Sequence, residues 1–307
     1  MSTVMHNDSH RDEAGLTADG RDFLNGLEAG AGLFEPERLC ERLNVLDALD
    51  AGFGDLGPGT GNDVLARRIH GRAQAIRARL EAANAELYQF IRAEIAGGAH
   101  RQTLLEWFQI PASRGGNEAP ARGFGYDYRD ELLSGILALR EPSETNFHLS
   151  PEMVFYQPTP VRHVLHLIWA AALTEEDILV DLGSGLGHVP LLASLLTGAQ
   201  SIGIEVEAAY VASARECAQR LRLGRVQFVC GDVRDANLSA GTVFYLYSPF
   251  TGSILATVLD RLRKESTRRP LRICTLGPCT CVVAKETWLK PIAVPDPDRI
   301  TVFRSSF

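Results

Sequence analysis

The stretch Ile178-Leu-Val-Asp-Leu-Gly-Ser-Gly-Leu-Gly187 constrains this chain more than any other. An apolar strand, interrupted only by Asp181, leads into three alternating glycines, and an apolar helical pattern follows. Gly183, Gly185 and Gly187 allow a tight turn and a close backbone approach to a ligand, because no Cβ stands in the way. Around this turn, residues 151–307 read as strands alternating with helices of about ten residues, the pattern of a parallel sheet with crossover helices. Strands are expected at DILVDLG, SIGIEV, VQFVCGD, TVFYLYS, LRICTL and ITVFRS. Helices are expected near 160–173, 189–197, 207–221 and 252–264. The last two strands have no helix-length apolar repeat between them and can pair antiparallel.

Three acids give the turn a chemistry. Asp181 stands two residues before the first glycine, where its carboxylate can accept from turn amides or face a cationic ligand group. Glu205 ends the second strand, suited to gripping ribose hydroxyls, and Asp232 with Val233 ends the third, suited to an adenine. Open parallel sheets bind ligands along this carboxyl edge. Each acid alone reads equally as a turn or helix cap; the ordered set points to a nucleoside-bearing ligand.

The combination Asp181-Leu-Gly-Ser-Gly-Leu-Gly187, Glu205 and Asp232 resembles the fingerprint of class I S-adenosylmethionine-dependent methyltransferases. The resemblance implies a Rossmann-like α/β sheet and S-adenosylmethionine as cofactor. It places Asp181, Gly183, Ser184, Gly185 and Gly187 at the methionine portion, Glu205 at the ribose, and Asp232 and Val233 at the adenine. Ser150-Pro-Glu-Met-Val-Phe-Tyr-Gln-Pro-Thr159, the glycine motif and Val243-Phe-Tyr-Leu-Tyr-Ser-Pro-Phe250 are together similar to histone lysine methyltransferases of the disruptor-of-telomeric-silencing type, which lack a SET domain. That resemblance implies that Tyr156 and Thr159 belong to a loop closing over the cofactor. Tyr247 and Ser248 stand where that family carries asparagines. Tyr247-Ser-Pro-Phe250 also resembles the Asn-Pro-Pro-Tyr loop of amide and adenine methylases, with Tyr247 in place of the asparagine. Tyr156, Tyr247 and Ser248 are the expected residues at the transferred methyl; a proline turn closing a strand remains the other reading of 247–250.

The first half of the chain reads differently. Residues 1–33 are polar and Gly-rich without a sustained period and are expected to be mobile. Residues 34–150 are expected to form a helical domain before the methyltransferase domain at 151–307. Pro36 opens one helix carrying Leu39, Leu43, Leu46 and Leu49; the glycines of 51–61 break it, and Asn62 can cap the next. The longest helical pattern runs over 63–95, with Leu65, Ile69, Ile76, Leu80, Leu87 and Phe90 on one face, and its stripe could also bury against a second copy. Shorter helices are expected at 102–109 and 130–140, separated by a loop at 111–125.

Charge narrows the partners. The net charge of −7 divides into 15 basic and 23 acidic residues in 1–150, and 16 and 15 in 151–307, so neither half has the basic excess of a nucleic-acid binder. No apolar run reaches the roughly 18 to 20 residues of a membrane span, and the N-terminal residues lack a secretory pattern, so a cytoplasmic protein is expected. Cys274, Cys279 and Cys281 are expected as reduced thiols, with no metal. The acceptor is expected to be a small molecule or a protein side chain. Two alternatives stay open: a catalytically degenerate binding module, suggested by Tyr247 and Ser248, and a nicotinamide-dependent oxidoreductase. The usual dinucleotide motif wants a glycine at position 188, which is histidine here.

Overall fold

The computed structural model describes residues 13–53, 64–98, 101–108, 123–142 and 151–306. The glycine-rich break at 54–61, Asn62 and most of the 111–125 loop lie outside the described residues. The chain divides into two compact units, Met1–Gln89 and Phe90–Phe307.

In the first unit, α1 (Glu13–Ala29), two short 3-10 turns (Ala31–Phe34 and Pro36–Arg38), α2 (Leu39–Phe53) and the greater part of α3 (Val64–Ala96) are helical. The helix α1 lies in the stretch whose sequence shows no sustained period. Even so, Leu24 is fully buried beside Leu49, Phe53, Ile69, Ala73, Ile76 and Leu80. Gly20 meets the Phe53 ring, and Glu28 with Asn25 binds Arg72 on α3. Tertiary burial outweighs a weak local propensity here.

The core of this unit contains one charged side chain. Arg42 is 0% exposed, and its guanidinium donates to Asn84 Oδ1 (2.6 Å) and to the carbonyls of Leu33 (3.1 Å), Glu35 (2.5 Å) and Pro36 (3.4 Å). It ties the 3-10 turns to α2 and α3 without a carboxylate in its set, and burial lowers its pKa. Arg42→Leu strips these buried acceptors of their donor and is expected to destabilise the protein by about 2 kcal/mol in chemical denaturation.

The second unit begins inside α3 and adds α4 (Arg101–Trp107) and α5 (Tyr128–Leu137) to the sheet and its helices. In this unit α5 packs on the sheet's own helices. Leu132, Leu133, Ile136 and Leu137 are buried. The Asp130 carboxylate accepts from the Val161 amide at the start of α6 (Val161–Ala170), and the Leu137 carbonyl accepts from Arg220 and the Cys217 thiol. Asp127 and Asp130 form a reciprocal cap that starts α5, and left-handed Ala138 ends it.

From there the chain runs β1 (Ile178–Leu182), α7 (His188–Thr197), β2 (Gln200–Glu205), α8 (Ala208–Arg220), β3 (Val226–Cys230), β4 (Val243–Tyr247), α9 (Gly252–Ser266), β5 (Arg272–Leu276), α10 (Cys279–Val283), β6 (Leu289–Pro291) and β7 (Thr301–Ser305). The sheet order is β3-β2-β1-β4-β5-β7-β6; the first five strands are mutually parallel, and β7 runs antiparallel to both β5 and β6. The expected antiparallel partnership of the last two strands is thus present, with β6 added at the edge. Apolar residues of β1, β4 and β5 pack against α9 through Val180, Leu182, Phe244, Leu246, Ile273, Leu255, Val258 and Leu262. Strand order reverses between β1 and β4, and a ligand crevice belongs outside the carboxyl ends of those strands. No helix among the described residues is long and apolar enough to cross a membrane.

Candidate active site

The turn after β1 forms as its glycines demand. Gly183, Gly185 and Gly187 have φ of 86°, 51° and 85°. The amides of Gly183 and Ser184 both donate to the Ile204 carbonyl, which locks the turn to β2. Space is as restrictive as conformation: a Cβ on Gly183 would lie 2.4 Å from Pro249, and one on Gly187 would lie 2.4 Å from the Phe228 ring.

Glu205, at the end of β2, organises the same turn. One carboxylate oxygen accepts from the Gly185 amide (2.8 Å), and the other accepts from Val206 (2.8 Å) and Glu207 (2.9 Å). Asp181 is buried at 4% exposure, and that burial, reinforced by the Glu205 charge, pushes its pKa well above the ordinary carboxylate range. Asp232 lines the same cavity, but its carboxylate is gripped by the Arg234 guanidinium (2.6 Å) and the Arg234 amide (2.8 Å), which hold its pKa down. Val233 and Ile204 add apolar surface beside it.

The segment 151–159 lies over this edge of the sheet. Met153 bridges to Phe250, the Val154 amide donates to the Pro249 carbonyl, and the Glu152 carboxylate caps α9 through Ser253 and Ile254. Tyr156 tilts against Tyr210 with ring centroids 5.2 Å apart, and its hydroxyl is 2.8 Å from Nδ1 of His188. Thr159 Oγ1 pairs with the buried Tyr245 hydroxyl at 3.0 Å, so it anchors the segment to β4.

These residues enclose a cavity of about 1210 Å³. Asp181, Gly183, Ser184, Glu205, Asp232, Val233, Tyr156, Thr159, Tyr247 and Ser248 all line it. The expected catalytic residues divide into different roles. Tyr247 faces the cavity, stacked on Phe124 (centroids 5.9 Å apart, planes 15° apart), and burial pushes its hydroxyl up to about 12. Ser248 is structural: in the left-handed region at φ 42°, it donates to the Leu276 carbonyl (3.1 Å) and accepts from the Cys279 amide (2.9 Å). Its hydroxyl joins β4 to α10 through these two bonds. Burial also raises the Tyr156 pKa, so this phenol is a poor base.

Phe124 and His188 were not foreseen. Phe124 belongs to a segment whose Gly123 carbonyl accepts from Arg162 (2.8 Å) and His163 Nε2 (2.7 Å), and whose Gly123 amide donates to Asp298. His163 thereby serves as a strut, with its pKa lowered by burial. Two aromatics between glycines, Gly-Phe-Gly-Tyr at 123–126, were the available signal. Cys274 lies buried on β5, and Cys279 and Cys281 lie on α10.

The chemistry of the edge suits S-adenosylmethionine. Ser184 and Glu207 line the cavity, and their buried Oγ and Oε2 atoms have no hydrogen-bond partner among the described residues. The glycine turn leaves a backbone-walled trough, and Asp181 offers a carboxylate for a cation. Sheet order, turn and acid-tipped strands form a domain with the Rossmann-like architecture of class I S-adenosylmethionine-dependent methyltransferases. Within it, residues 152–234 match the family model described as histone methylation protein DOT1. Among solved structures, an RNA methyltransferase from Salinibacter ruber in complex with S-adenosyl-L-homocysteine is similar at 28% identity and a TM-score of 0.39, over 48% of this chain and 92% of that one. A tRNA (uracil-54, C5)-methyltransferase from Pyrococcus abyssi is similar at 16% identity and a TM-score of 0.39, over 50% of this chain and 40% of that one. A geranyl diphosphate C-methyltransferase from Streptomyces coelicolor is similar at 20% identity and a TM-score of 0.32, over 38% of this chain and 43% of that one. This chain therefore spans less than half the length of the latter two. No curated protein matches the sequence.

Proposed function

We propose that this protein transfers the methyl of S-adenosylmethionine to a small molecule with an apolar body and an amine nucleophile. The observation that carries the reading is one cavity joining the acid-tipped ends of β1, β2 and β3 to the aromatic end of β4. Its 1210 Å³ exceeds the roughly 300 to 1,000 Å³ of a pocket for one drug-sized ligand, so donor and acceptor fit together. The glycine trough, Asp181 and Glu205 hold the donor. Phe124, Met153, Tyr247, Pro249, Phe250 and Val282 offer the acceptor an apolar wall. The donor, when bound, supplies an activated sulfonium methyl.

Acid–base chemistry from the protein is sparse near β4. Asp181, Glu205, Glu207 and Asp232 belong to the ends of β1 to β3, and Glu286 accepts from the Trp288 indole (2.7 Å). Tyr156 and Tyr247 keep their protons at neutral pH, because burial raises both. These residues exclude water and align the nucleophile with the methyl, and such alignment supplies much of the acceleration. An amine that sheds its proton to solvent before entry needs no base from the protein. With the donor saturating, the acid limb of kcat/KM for the acceptor should therefore follow each acceptor's own pKa across a series of amines. An inflection fixed by the enzyme would argue for a protein base instead.

The direct test is calorimetric titration with S-adenosylhomocysteine, with NAD as the control. Micromolar binding, about −8 kcal/mol, with none to NAD, is the expected result. Binding of NAD alone would replace the reading with an oxidoreductase. A tritiated-methyl screen of apolar amines against lysine peptides then separates small-molecule from protein acceptors.

A further inference from the structure

We infer that His188 is a positioning residue of the donor site: it fixes the Tyr156 ring over the glycine turn and so holds the 151–159 segment closed. The inference rests on the donor reading above and concerns a side chain that reading does not use. His188 is the first residue of α7, directly after Gly187, so its place is set by the turn itself. Its Nδ1 lies 2.8 Å from the Tyr156 hydroxyl, 32 residues away in sequence. The Tyr156 ring sits on the turn so closely that a Cβ on Gly185 would come within 1.9 Å of it. One face of the trough is therefore Tyr156, and the ring's position decides how a ligand's amino-acid end is covered.

The bond joins a protonated phenol to a neutral imidazole. Burial keeps the phenol protonated, so its hydroxyl proton is available to Nδ1. The imidazole can accept it because burial brings its own pKa down to about 4, leaving the ring neutral. Tyr210, tilted against the same phenol, supplies packing but not direction. Elsewhere the segment is held by Val154 to Pro249, Glu152 to α9, the Tyr126 hydroxyl to the Pro158 carbonyl, and Thr159 to Tyr245. Between Val154 and Thr159, His188 supplies the side-chain hydrogen bond that ties Tyr156 to the turn.

The test uses the full chain with four changes: His188→Leu, His188→Asn, Tyr156→Phe and the Leu/Phe double. Asparagine places an oxygen close to the position of Nδ1, whereas leucine keeps the volume and removes the acceptor. S-adenosylhomocysteine affinity should fall about fivefold in His188→Leu and in Tyr156→Phe, the scale of one neutral hydrogen bond. The double should fall no further than either single, and His188→Asn should recover most of the loss. Hydrogen exchange of the ligand-free protein gives a second readout, in which the amides of 154–157 should exchange faster in His188→Leu than in His188→Asn. Additive losses, or an asparagine variant as weak as leucine, would mean that His188 only packs and would overturn the inference. If the unaltered protein failed to bind S-adenosylhomocysteine, the donor reading would fall, and the exchange contrast would still decide the latch.

Discussion

A protein carrying Gly185→Val is expected to lose S-adenosylhomocysteine binding by at least about a hundredfold, while keeping its helical and strand content. Two independent costs act at this position. Gly185 has φ 51°, a left-handed conformation that a β-branched side chain tolerates poorly. A Cβ there would also stand 1.9 Å from Cε2 and 2.1 Å from Cδ2 of Tyr156, so the ring must leave the turn. The Gly185 amide donates to Glu205, and a shifted backbone breaks that bond and disturbs the acid expected at the ribose. A hundredfold corresponds to about 2.7 kcal/mol, within reach of one strained residue and one lost clamp. Gly224→Ala is the control: its Cβ meets nothing within 4 Å. Calorimetry beside a far-ultraviolet circular dichroism melt checks both points. Undiminished affinity in the valine variant would mean that the donor does not lie along this turn.

The turn was legible because its demands are local. β1 is covered on both faces, so it reads as an apolar run broken only by Asp181, and the glycines follow at fixed spacing. The acids at β2 and β3 share that legibility, since the end of a parallel strand and its chemistry coincide. The acceptor wall was not legible, because Phe124 reaches Tyr247 across 123 residues, held by struts from Arg162, His163 and Asp298. Such struts leave no periodic trace. The partners of the Ser248 hydroxyl were not legible for a related reason: only the three-dimensional approach of Leu276 and Cys279 shows where it goes. Two short elements, α10 and β6, fall below the length at which periodicity means anything. In the first unit, α1 is helical through contacts with Phe53 and Arg72 that its own sequence does not announce.

Asp181→Asn should move stability and binding in opposite directions. The carboxyl is 4% exposed at the end of β1, and burial, with the Glu205 charge behind it, raises its pKa well above the ordinary value. The folded protein thus binds this proton more tightly than the unfolded chain does. The associated stability is fully present below the unfolded pKa of about 3.9 and is lost as pH rises through the folded value. Asparagine keeps the shape and removes the titration. At neutral pH the ligand-free variant should therefore melt higher by a few degrees, about 2 to 4 °C per kcal/mol for a domain of this size. Binding pays the opposite way, because an ionised Asp181 is the natural partner for a cationic donor, and the variant should bind S-adenosylmethionine at least tenfold more weakly. The unaltered protein should bind the donor more tightly as pH rises through the Asp181 titration and should release protons on binding. Calorimetry in two buffers of different ionisation enthalpy reads that release directly, and the asparagine variant should show little of it. Equal proton release from both proteins would assign the linkage to another group. A variant that melts lower would mean that the Asp181 carboxylate braces the empty fold, rather than being a strained charge kept in place for a ligand.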